Sequence, residues 1–220
     1  MEQQPLFEAQ DPYLGMVEDE LATRGITEIV GIDEAGRGPL AGPVCAGAFW
    51  LQIGEMEKGP IGELLDDSKK MKAGDREAIF DALEARRGRW AMAMVSAEVI
   101  DEINILQATF RAMRQALSTV VESVGRSPQL VVIDGHMVVP EVSLAQQAVV
   151  KGDGRSRAIA AASVVAKVTR DRWMKKAGET WPAYGFGSHK GYGTRQHREA
   201  LEQHGPCPIH RRSFGGVPSI

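Results

Sequence analysis

The chain has 220 residues, of which 43% are hydrophobic and 25% charged, and a net charge of −3 at pH 7, values typical of one globular domain and not of a disordered or fibrous chain. No apolar run approaches the roughly 18 residues of a membrane span, and the polar, acidic N-terminus is unlike a signal or transit peptide. The two cysteines, Cys45 and Cys207, indicate neither a disulfide framework nor a zinc site, so we expect a cytoplasmic protein without a membrane partner.

The first half of the chain predicts a mixture of strands and helices. Short apolar runs indicate strands, and apolar side chains that repeat every three or four residues indicate helices, which end at glycines. In chain order we predict a loose arm at 1–13, a short helix at 14–24, strands at 27–32 and 44–53, a helix at 75–87, a strand at 90–95 and a long amphipathic helix at 100–124.

The second half continues the pattern. We predict strands at 130–133 and 147–150, an alanine-rich helix from 155 to about 176, a loop at 181–194, a helix at 195–204 and a tail from 210. Strands and helices in this order predict a mixed α/β domain over residues 26–220, with a basic helical part at about 155–214. We expect residues 1–25 to be an N-terminal extension that is partly disordered.

The charges are distributed unevenly along the chain. Residues 151–220 contain 13 Lys and Arg against 5 Asp and Glu, whereas residues 1–150 contain 13 against 24. A basic C-terminal third on an otherwise acidic body indicates a surface for a polyanion, although basic side chains also decorate ordinary solvated helices.

Acidic residues follow three of the predicted strands: Asp33 with Glu34, Asp134 and Asp153. Strand ends at one edge of an α/β sheet converge, and functional sites are usually built there. Carboxylates gathered at one point repel each other unless divalent cations bind them, and oxygen ligands without His or Cys suit Mg²⁺ or Mn²⁺. Two such ions would stabilise the attacking and the leaving oxygen of a phosphodiester displacement. The alternatives are solvated turn acids and, for Asp153, a helix cap.

Asp33 and Glu34 raise a geometric question because they are consecutive. Successive side chains of a regular strand point to opposite faces of the sheet. Either the backbone leaves strand geometry here, which the nearby Gly36 would permit, or Glu34 serves one ion through its main-chain carbonyl and another through its side chain.

Seven segments between about residues 29 and 214 match the motifs of a known family in order and spacing. They are GIDEAGRGPLAGPV, DDSKKM, DEINILQAT, VVIDG, KGDGRSRAIAAASVVAKVTRD, YGFGSHKGYGT and HRRSF. The chain resembles bacterial ribonuclease HII. Met71 in DDSKKM replaces the more usual Leu, which is a volume-conserving change, and the first 25 or so residues match no shared motif.

The resemblance implies a ribonuclease H-like fold, with a mixed central sheet of about five strands flanked by helices and additional C-terminal helices. It implies endonucleolytic cleavage of RNA in RNA–DNA hybrids and of duplex DNA on the 5′ side of single ribonucleotides, leaving a 3′-hydroxyl and a 5′-phosphate. The family's four acids, which are catalytic and bind metal, correspond to Asp33, Glu34, Asp134 and Asp153.

The resemblance also implies residues that contact nucleic acid. Gly36, Arg37 and Gly38 match the segment whose backbone senses the 2′-hydroxyl, the group that distinguishes RNA from DNA. Tyr192 matches the tyrosine that packs under the junction between ribonucleotide and deoxyribonucleotide, and Tyr184 is the alternative in a similar loop.

Contacts to phosphates are expected from Lys69, Arg211, Arg212 and Ser213, although each taken singly is as readily an ordinary surface residue. The five histidines lack zinc spacing, and for His189 and His210 we expect structural or phosphate-contact roles.

Three other functions compete with this interpretation. Type III ribonuclease H resembles this family but carries an extra N-terminal substrate-binding domain, for which the roughly 28 residues before Ile29 leave no room. A catalytically silent hybrid-binding module would be expected to lack one of the four acids. A Mg²⁺-dependent nucleotidyl transferase would form a new phosphodiester instead of nicking a strand. A monomer is the expected oligomeric state.

Overall fold

The computed structural model describes residues 13–55, 65, 71–86 and 88–218, which form a sheet with helices on both faces. The strands are β1 (Glu28–Ala35), β2 (Val44–Gln52), β3 (Trp90–Val95), β4 (Leu130–Asp134) and β5 (Gln146–Val149). The helices are α1 (Met16–Thr23), α2 (Ala73–Glu84), α3 (Ala97–Val124), α4 (Arg157–Thr180), α5 (Phe186–His189) and α6 (Arg195–His204). Single 3₁₀ turns lie at Gly152–Gly154 and Pro182–Tyr184.

The sheet has the strand order β3-β2-β1-β4-β5, with β1 at its centre. β1 pairs antiparallel with β2 and parallel with β4. At the two edges, β3 is antiparallel to β2 and β5 is parallel to β4. The predicted mixed sheet is therefore confirmed, and the carboxyl ends of β1, β4 and β5 lie side by side.

Helix α4 lies directly on one face of the sheet. A Cβ atom at Gly31 would overlap the backbone of Ala158, and a Cβ atom at Gly47 would overlap the carbonyl of Ala162. The missing side chains of these two glycines therefore allow the helix backbone to approach the strands closely. The alanine-rich composition of α4 has the same effect from the helix side, as the sequence predicts.

Helix α3 covers the opposite face of the sheet and packs on Val30 and Ile32. Ser96 caps the helix by accepting a hydrogen bond from the Val99 N–H at 3.4 Å, so the helix begins earlier than predicted. Asn104 has a φ of 67° and interrupts the helix. Its Oδ1 accepts the N–H of Leu106 at 3.0 Å, which caps the second segment.

The C-terminal part forms a third apolar cluster around Phe186, which is fully buried. We predicted a continuous loop at 181–194, and this is wrong, because α5 and a 3₁₀ turn lie within it. Glycines and aromatic residues dominate this stretch, and no periodic pattern indicates the short helices.

Helix α1 confirms the predicted helix near residue 14 and packs into the main body. Val17 and Leu21 are buried in the core under α4. The N–H groups of Gly15 and Val17 both donate to the Arg155 carbonyl, at 3.1 and 3.2 Å. The expected boundary at residue 25 therefore does not separate α1 from the domain, and residues 1–12 lie outside the described residues.

Within the described ranges, no helix has the length and hydropathy needed to cross a membrane.

Candidate active site

Three neighbouring strands end at one edge of the sheet, and an acid lies at or just after the end of each. Ile32 of β1 pairs with Ile133 of β4, which places Asp33 beside Asp134. Asp134 pairs with Val149 of β5, and the 3₁₀ turn that follows β5 carries Asp153. The strand ends therefore converge as predicted.

Asp33 is the most enclosed of the four acids, with only 6% of its surface exposed. It lies on the α4 face of β1, and its Oδ1 accepts the N–H of Glu34 at 2.7 Å. Burial, together with the negative charges of Glu34 and Asp134, raises the pKa of Asp33 well above its ordinary range. The nearby Ser163 hydroxyl opposes part of this rise. The surroundings of Asp33 therefore favour either a proton or a cation at this carboxyl.

The Glu34 side chain leaves β1 on the side opposite to that of Asp33, because the strand is regular here. The strand keeps its regular pairing with β2 through Ala35, with Glu34 opposite Ala46. A backbone break between the two acids, one of our two alternatives, is therefore wrong, because the chain leaves the strand only at Gly36, which has a φ of 93°. The Glu34 carboxylate pairs with Arg37 at 3.3 Å. Burial raises the pKa of Glu34, and the charge of Arg37 opposes that rise.

Asp134 and Asp153 are joined through the backbone of the turn between them. The Gly152 N–H donates to Oδ1 of Asp134 at 2.6 Å, which fastens the turn to the end of β4. Burial raises the pKa of Asp134, while the bond from Gly152 opposes the rise and the charge of Asp153 adds to it. Asp153 is exposed and lines a cavity of about 490 Å³.

The four carboxylates share this edge but do not close on a single point. Within the described part of the chain, no three His, Cys, Asp or Glu side chains stand close enough to hold one metal ion. The reason is that Asp33 and Glu34 leave opposite faces of a regular strand and that Glu34 is turned toward Arg37. The donor set nevertheless suits a hard divalent cation, since all its ligand atoms are oxygens and burial raises the pKa of three of the carboxyls.

Two cavities lie beside the acids and have a common wall. The cavity of about 490 Å³ is lined by Asp153 and by the basic residues Lys151 and Arg155. A second cavity of about 320 Å³ is lined by Glu34, residues 36–38 and Tyr192. Ser163 and Lys167 of α4 line both cavities. This helix therefore forms the wall that the two cavities share.

The side chain of Arg211 is fully buried and binds the backbone of the loop at residues 36–43 from the protein interior. The Arg211 guanidinium donates to the carbonyls of Gly36, Arg37 and Gly42 at 2.6, 2.8 and 3.0 Å. The prediction that Arg211 contacts a phosphate is therefore wrong, because each of its three nitrogens is bonded to the loop backbone and none is exposed to solvent.

Asp101 at the start of α3 organises the residues that follow Arg211. The N–H groups of Arg212 and Ser213 donate to its carboxylate at 2.8 and 2.9 Å, and the Ser213 hydroxyl donates to it at 2.5 Å. The Ser213 hydroxyl is thus already bonded within the protein, whereas Arg212 is exposed. Of the other expected phosphate contacts, Lys69 lies outside the described residues.

Tyr192 and Tyr184 differ sharply in their exposure, at 46% and 7%. The Tyr184 hydroxyl donates to the Gly205 carbonyl at 2.7 Å, and its ring stacks on Phe186. Tyr184 is therefore a core residue, and Tyr192 has the ring that is available to a ligand.

The histidines of this region are structural. His189 bonds the backbone at both ring nitrogens, through the Tyr184 carbonyl at 2.7 Å and the Gly191 N–H at 3.2 Å. Nδ1 of His210 accepts the N–H of Cys207, and Nε2 of His210 lies 2.9 Å from Nε2 of His197. Nδ1 of His197 donates to the Tyr192 carbonyl at 2.9 Å. These partners require neutral rings, in agreement with burial that lowers the pKa of His210 to about 4.

A sequence model of the family described as Ribonuclease HII matches residues 30–217. The chain belongs to the ribonuclease HII family. It is 45% identical to Ribonuclease HII of Geotalea daltonii over 213 residues, which cover 96% of this chain and 94% of that protein. Among solved structures, ribonuclease H2 of Pyrococcus horikoshii OT3 is similar with a TM-score of 0.71 and 27% identity, over 86% of this chain and 95% of that one. Bst-RNase HIII in complex with Mn²⁺ has a TM-score of 0.65 at 16% identity, over 87% and 68% of the two chains, a likeness of fold alone.

As a member of the ribonuclease HII family, the chain is a metal-dependent ribonuclease H, a hydrolase that cleaves RNA in RNA–DNA hybrids. The predicted family, ribonuclease H-like fold and enzyme class are confirmed. The identity of 45% to Ribonuclease HII of Geotalea daltonii, against 16% to Bst-RNase HIII, favours this family over the type III alternative.

Three residues near this ribonuclease HII site were missed by the sequence reasoning. Ser163 and Lys167 stand one helical turn apart and interrupt an alanine-rich stripe, a signal that could have revealed them. Glu18 of α1 is 2% exposed, and its Oε1 accepts the Ser156 hydroxyl at 2.6 Å and the Ala158 N–H at 3.1 Å. No sequence pattern distinguishes Glu18 from the other acids of α1.

Proposed function

We propose that this ribonuclease HII cuts on the 5′ side of a ribonucleotide, both in RNA–DNA hybrids and at single ribonucleotides in duplex DNA, leaving a 3′-hydroxyl and a 5′-phosphate. In this proposal Asp33, Glu34, Asp134 and Asp153 bind two divalent ions, Mg²⁺ or Mn²⁺. The observation that carries the proposal is the buried carboxyl of Asp33 beside Asp134 on the neighbouring parallel strand.

The unpaired negative charges at this edge of the sheet favour a bound cation. Asp33, Asp134 and Asp153 have no Lys, Arg or His within ion-pair distance among the described residues. Like charges in a partly dry site cost free energy, which appears here as raised pKa values for Asp33 and Asp134. A divalent ion would reverse this cost and hold the carboxylates ionised. The Mn²⁺ complex of Bst-RNase HIII, which has the same fold, supports the choice of metal.

Bound divalent ions would supply an activated water and would neutralise charge on the departing 3′-oxygen. The protein's part is to hold the ligands in place. The Glu34 N–H orients Asp33, and the Gly152 N–H orients Asp134 and keeps the Asp153 turn beside it. Arg37 pairs with Glu34, so cation binding at Glu34 would free an exposed guanidinium for a substrate phosphate.

The loop at residues 36–38 and Tyr192 are proposed to recognise the ribonucleotide. The N–H groups of Arg37 and Gly38 donate to no protein group among the described residues, so they are available to a 2′-hydroxyl oxygen. A Cβ placed on Gly38 would lie 4.0 Å from Cε1 of Tyr192, so the ring and the loop border one space. Both line the cavity of about 320 Å³ next to Glu34. A flat ring there would pack on a sugar or base irrespective of sequence.

Phosphate contacts are proposed for Lys69, for the exposed Arg212 and for Lys167. Lys167 borders both cavities and is held by Asp171 at 2.8 Å, so its ammonium has a defined position between the acids and Tyr192. Such contacts position a strand without reading its sequence.

The acids are tested with Asp33→Asn and Asp134→Asn. Each variant should lose cleavage of a hybrid and of a duplex with one ribonucleotide, while binding of the same duplexes, measured by fluorescence anisotropy, persists. Asp81→Asn, on an exposed site of α2, is the matched control and should cleave at the wild-type rate. Cleavage by either active-site variant at the wild-type rate would contradict the assignment. A wild-type protein that binds without cutting in either metal would be a silent hybrid-binding module.

We further propose that the enzyme is a monomer and acts in the cytoplasm. Its cysteines, Cys45 and Cys207, are free and buried, which suits a reducing compartment. Light scattering should give the mass of one chain, 23.9 kDa, and twice that mass would contradict the monomer. Cell fractionation should recover the enzyme with cytoplasmic markers.

A further inference from the structure

Arg170 is a second buried arginine under the loop at residues 36–43. It lies on α4 and is 1% exposed. Its Nε, Nη2 and Nη1 donate to the carbonyls of Pro43, Ala41 and Lys190 at 2.9, 3.2 and 3.1 Å. The guanidinium therefore joins the end of this loop to the segment just before Tyr192. A hydrogen bond of 2.9 Å from the Leu40 N–H to the Gly191 carbonyl connects the same two segments.

Arg170 and Arg211 bond different carbonyls of the loop. Arg211 takes those of Gly36, Arg37 and Gly42, and Arg170 takes those of Ala41 and Pro43. In a planar trans peptide, the N–H of one residue points away from the carbonyl of the residue before it. Because the carbonyls of residues 36 and 37 point to the guanidinium, the N–H groups of residues 37 and 38 point away from it. These two N–H groups donate to no protein group among the described residues.

The two guanidinium groups are buried without a counter-ion. Neither has a carboxylate within ion-pair distance among the residues that the structure describes. Burial lowers the pKa of both, that of Arg211 to about 9, and the two charges repel each other. An unpaired buried charge reduces stability. Here the two guanidinium charges place a positive potential behind the outward N–H groups of residues 37 and 38. This arrangement favours an electron-rich oxygen in front of those N–H groups.

Gly36 packs directly against the Arg170 guanidinium. Its φ is 93°, and a Cβ at this position would overlap Nε of Arg170. The glycine is therefore required by the position of the arginine as well as by its own backbone conformation. The first residue of the GRG motif and Arg170 form one packed unit.

We propose that Arg170 is a specificity-determining positioning residue. By joining the end of the loop at residues 36–43 to the segment just before Tyr192, it fixes the Tyr192 ring relative to the backbone of residues 36–38 that reads the 2′-hydroxyl. The proposal rests on the ribonucleotide recognition proposed above and names the residue that makes it rigid. Arg170 does not touch the substrate. It acts through the carbonyls of Ala41, Pro43 and Lys190, which it joins, while Arg211 orients the peptide groups of residues 36–38.

The test compares two DNA duplexes of one sequence, identical except for a single ribonucleotide in the first. Binding of each is measured by fluorescence anisotropy in EDTA, where no cleavage occurs. Arg170→Lys keeps the charge but loses the planar fork that bonds three carbonyls at once. Its preference for the ribonucleotide duplex should fall by up to about 10-fold, the loss expected when one neutral N–H bond to the 2′-hydroxyl is no longer formed. Arg172→Lys, on the exposed face of the same helix and paired with Glu77, should keep the wild-type preference.

The possible outcomes separate this proposal from the function on which it rests. Retention of the full preference by Arg170→Lys would overturn the positioning role and leave the proposed recognition intact. Equal weakening on both duplexes would show a general structural role and would also overturn it. A wild-type protein without any preference would overturn the proposed recognition itself and this inference with it.

A measurement on the wild-type protein tests the premise of the proposal, the two outward N–H groups, even if Arg170→Lys does not fold. Hydrogen–deuterium exchange should show rapid exchange at the amides of Arg37 and Gly38 in the free protein. It should show protection there on binding the ribonucleotide duplex and not the DNA duplex. Unchanged exchange with the ribonucleotide duplex would overturn the outward orientation of these groups toward the ligand.

Discussion

Replacement of Glu18 by Ala is expected to destabilise the protein through the N-terminus of α4. Glu18 accepts two hydrogen bonds there, from the Ser156 hydroxyl at 2.6 Å and the Ala158 N–H at 3.1 Å. Ser156 in turn caps α4 through the Ile159 N–H at 3.3 Å, and its own N–H donates to the Gly152 carbonyl at 2.8 Å. A side chain of α1 thus supports the turn that carries Asp153.

The magnitude follows from the donors that Glu18→Ala would leave without an acceptor. Ser156 is 0% exposed, so solvent does not replace the lost carboxylate. Each buried donor left unpaired costs about 1–3 kcal/mol, and removal of Oε2, which has no partner among the described residues, returns part of that cost. We therefore expect a net loss of about 2–3 kcal/mol. Glu18→Gln keeps the shape and one acceptor oxygen and should lose about 1 kcal/mol.

Urea unfolding in EDTA measures this loss directly. Glu20→Ala is the matched control on the same helix, since its side chain is 63% exposed, and it should remain within about 0.5 kcal/mol of the wild type. A Glu18→Ala protein as stable as the Glu20→Ala protein would refute the reasoning. If Glu18 supports the Asp153 turn, Glu18→Gln should also need more Mn²⁺ for half-maximal binding, measured by calorimetry.

Three further changes should have measurable effects. The folded-state pKa of Asp33 lies above its unfolded value, so stability in EDTA should fall as pH rises from the unfolded pKa to the folded pKa and should stay reduced above it. Asp33→Asn should therefore raise the thermal midpoint in EDTA at pH 8, and an unchanged or lower midpoint would count against the buried charge. Burial lowers the pKa of His210 from 6.5 to about 4, so the free energy of unfolding should fall as pH drops from 6.5 toward 4. His210→Gln should reduce this pH dependence in urea titrations, and an equal pH dependence in both proteins would contradict a neutral buried ring. Tyr192→Ala should reduce cleavage at a single ribonucleotide more than cleavage of a long hybrid, and equal losses would exclude a junction-sensing role.

The position of the acids was predictable because it depends on local sequence and on sheet topology. Short apolar runs that end in Asp33, Asp134 and Asp153 indicate strands that share one edge, and the parallel pairing of β1, β4 and β5 produces it. The extension of β1 through Glu34 was not predictable, because it depends on pairing with β2, where Ala46 lies opposite. Acidic residues are poor strand formers, and tertiary pairing overrides that preference here.

The buried arginines show where sequence reasoning has its limit. Arg211 stands beside Arg212 in HRRSF, yet one is buried and the other exposed. Adjacent identical side chains carry no local signal of burial, and the carbonyls that Arg211 bonds belong to a loop 169 or more residues away. Arg170 offered a weak signal, since it lies four residues after Ala166 and four before Met174, which are both buried on α4.

In the mechanism proposed above, the acids at this sheet edge act with divalent ions to cut beside a ribonucleotide. The most direct test is a nicking assay on an end-labelled DNA duplex with one ribonucleotide, with Mg²⁺, Mn²⁺ or EDTA. One cut immediately 5′ to the ribonucleotide is expected with either metal, and none in EDTA. Cutting in EDTA, or no cut at the ribonucleotide by an enzyme that still cleaves long hybrids, would contradict it.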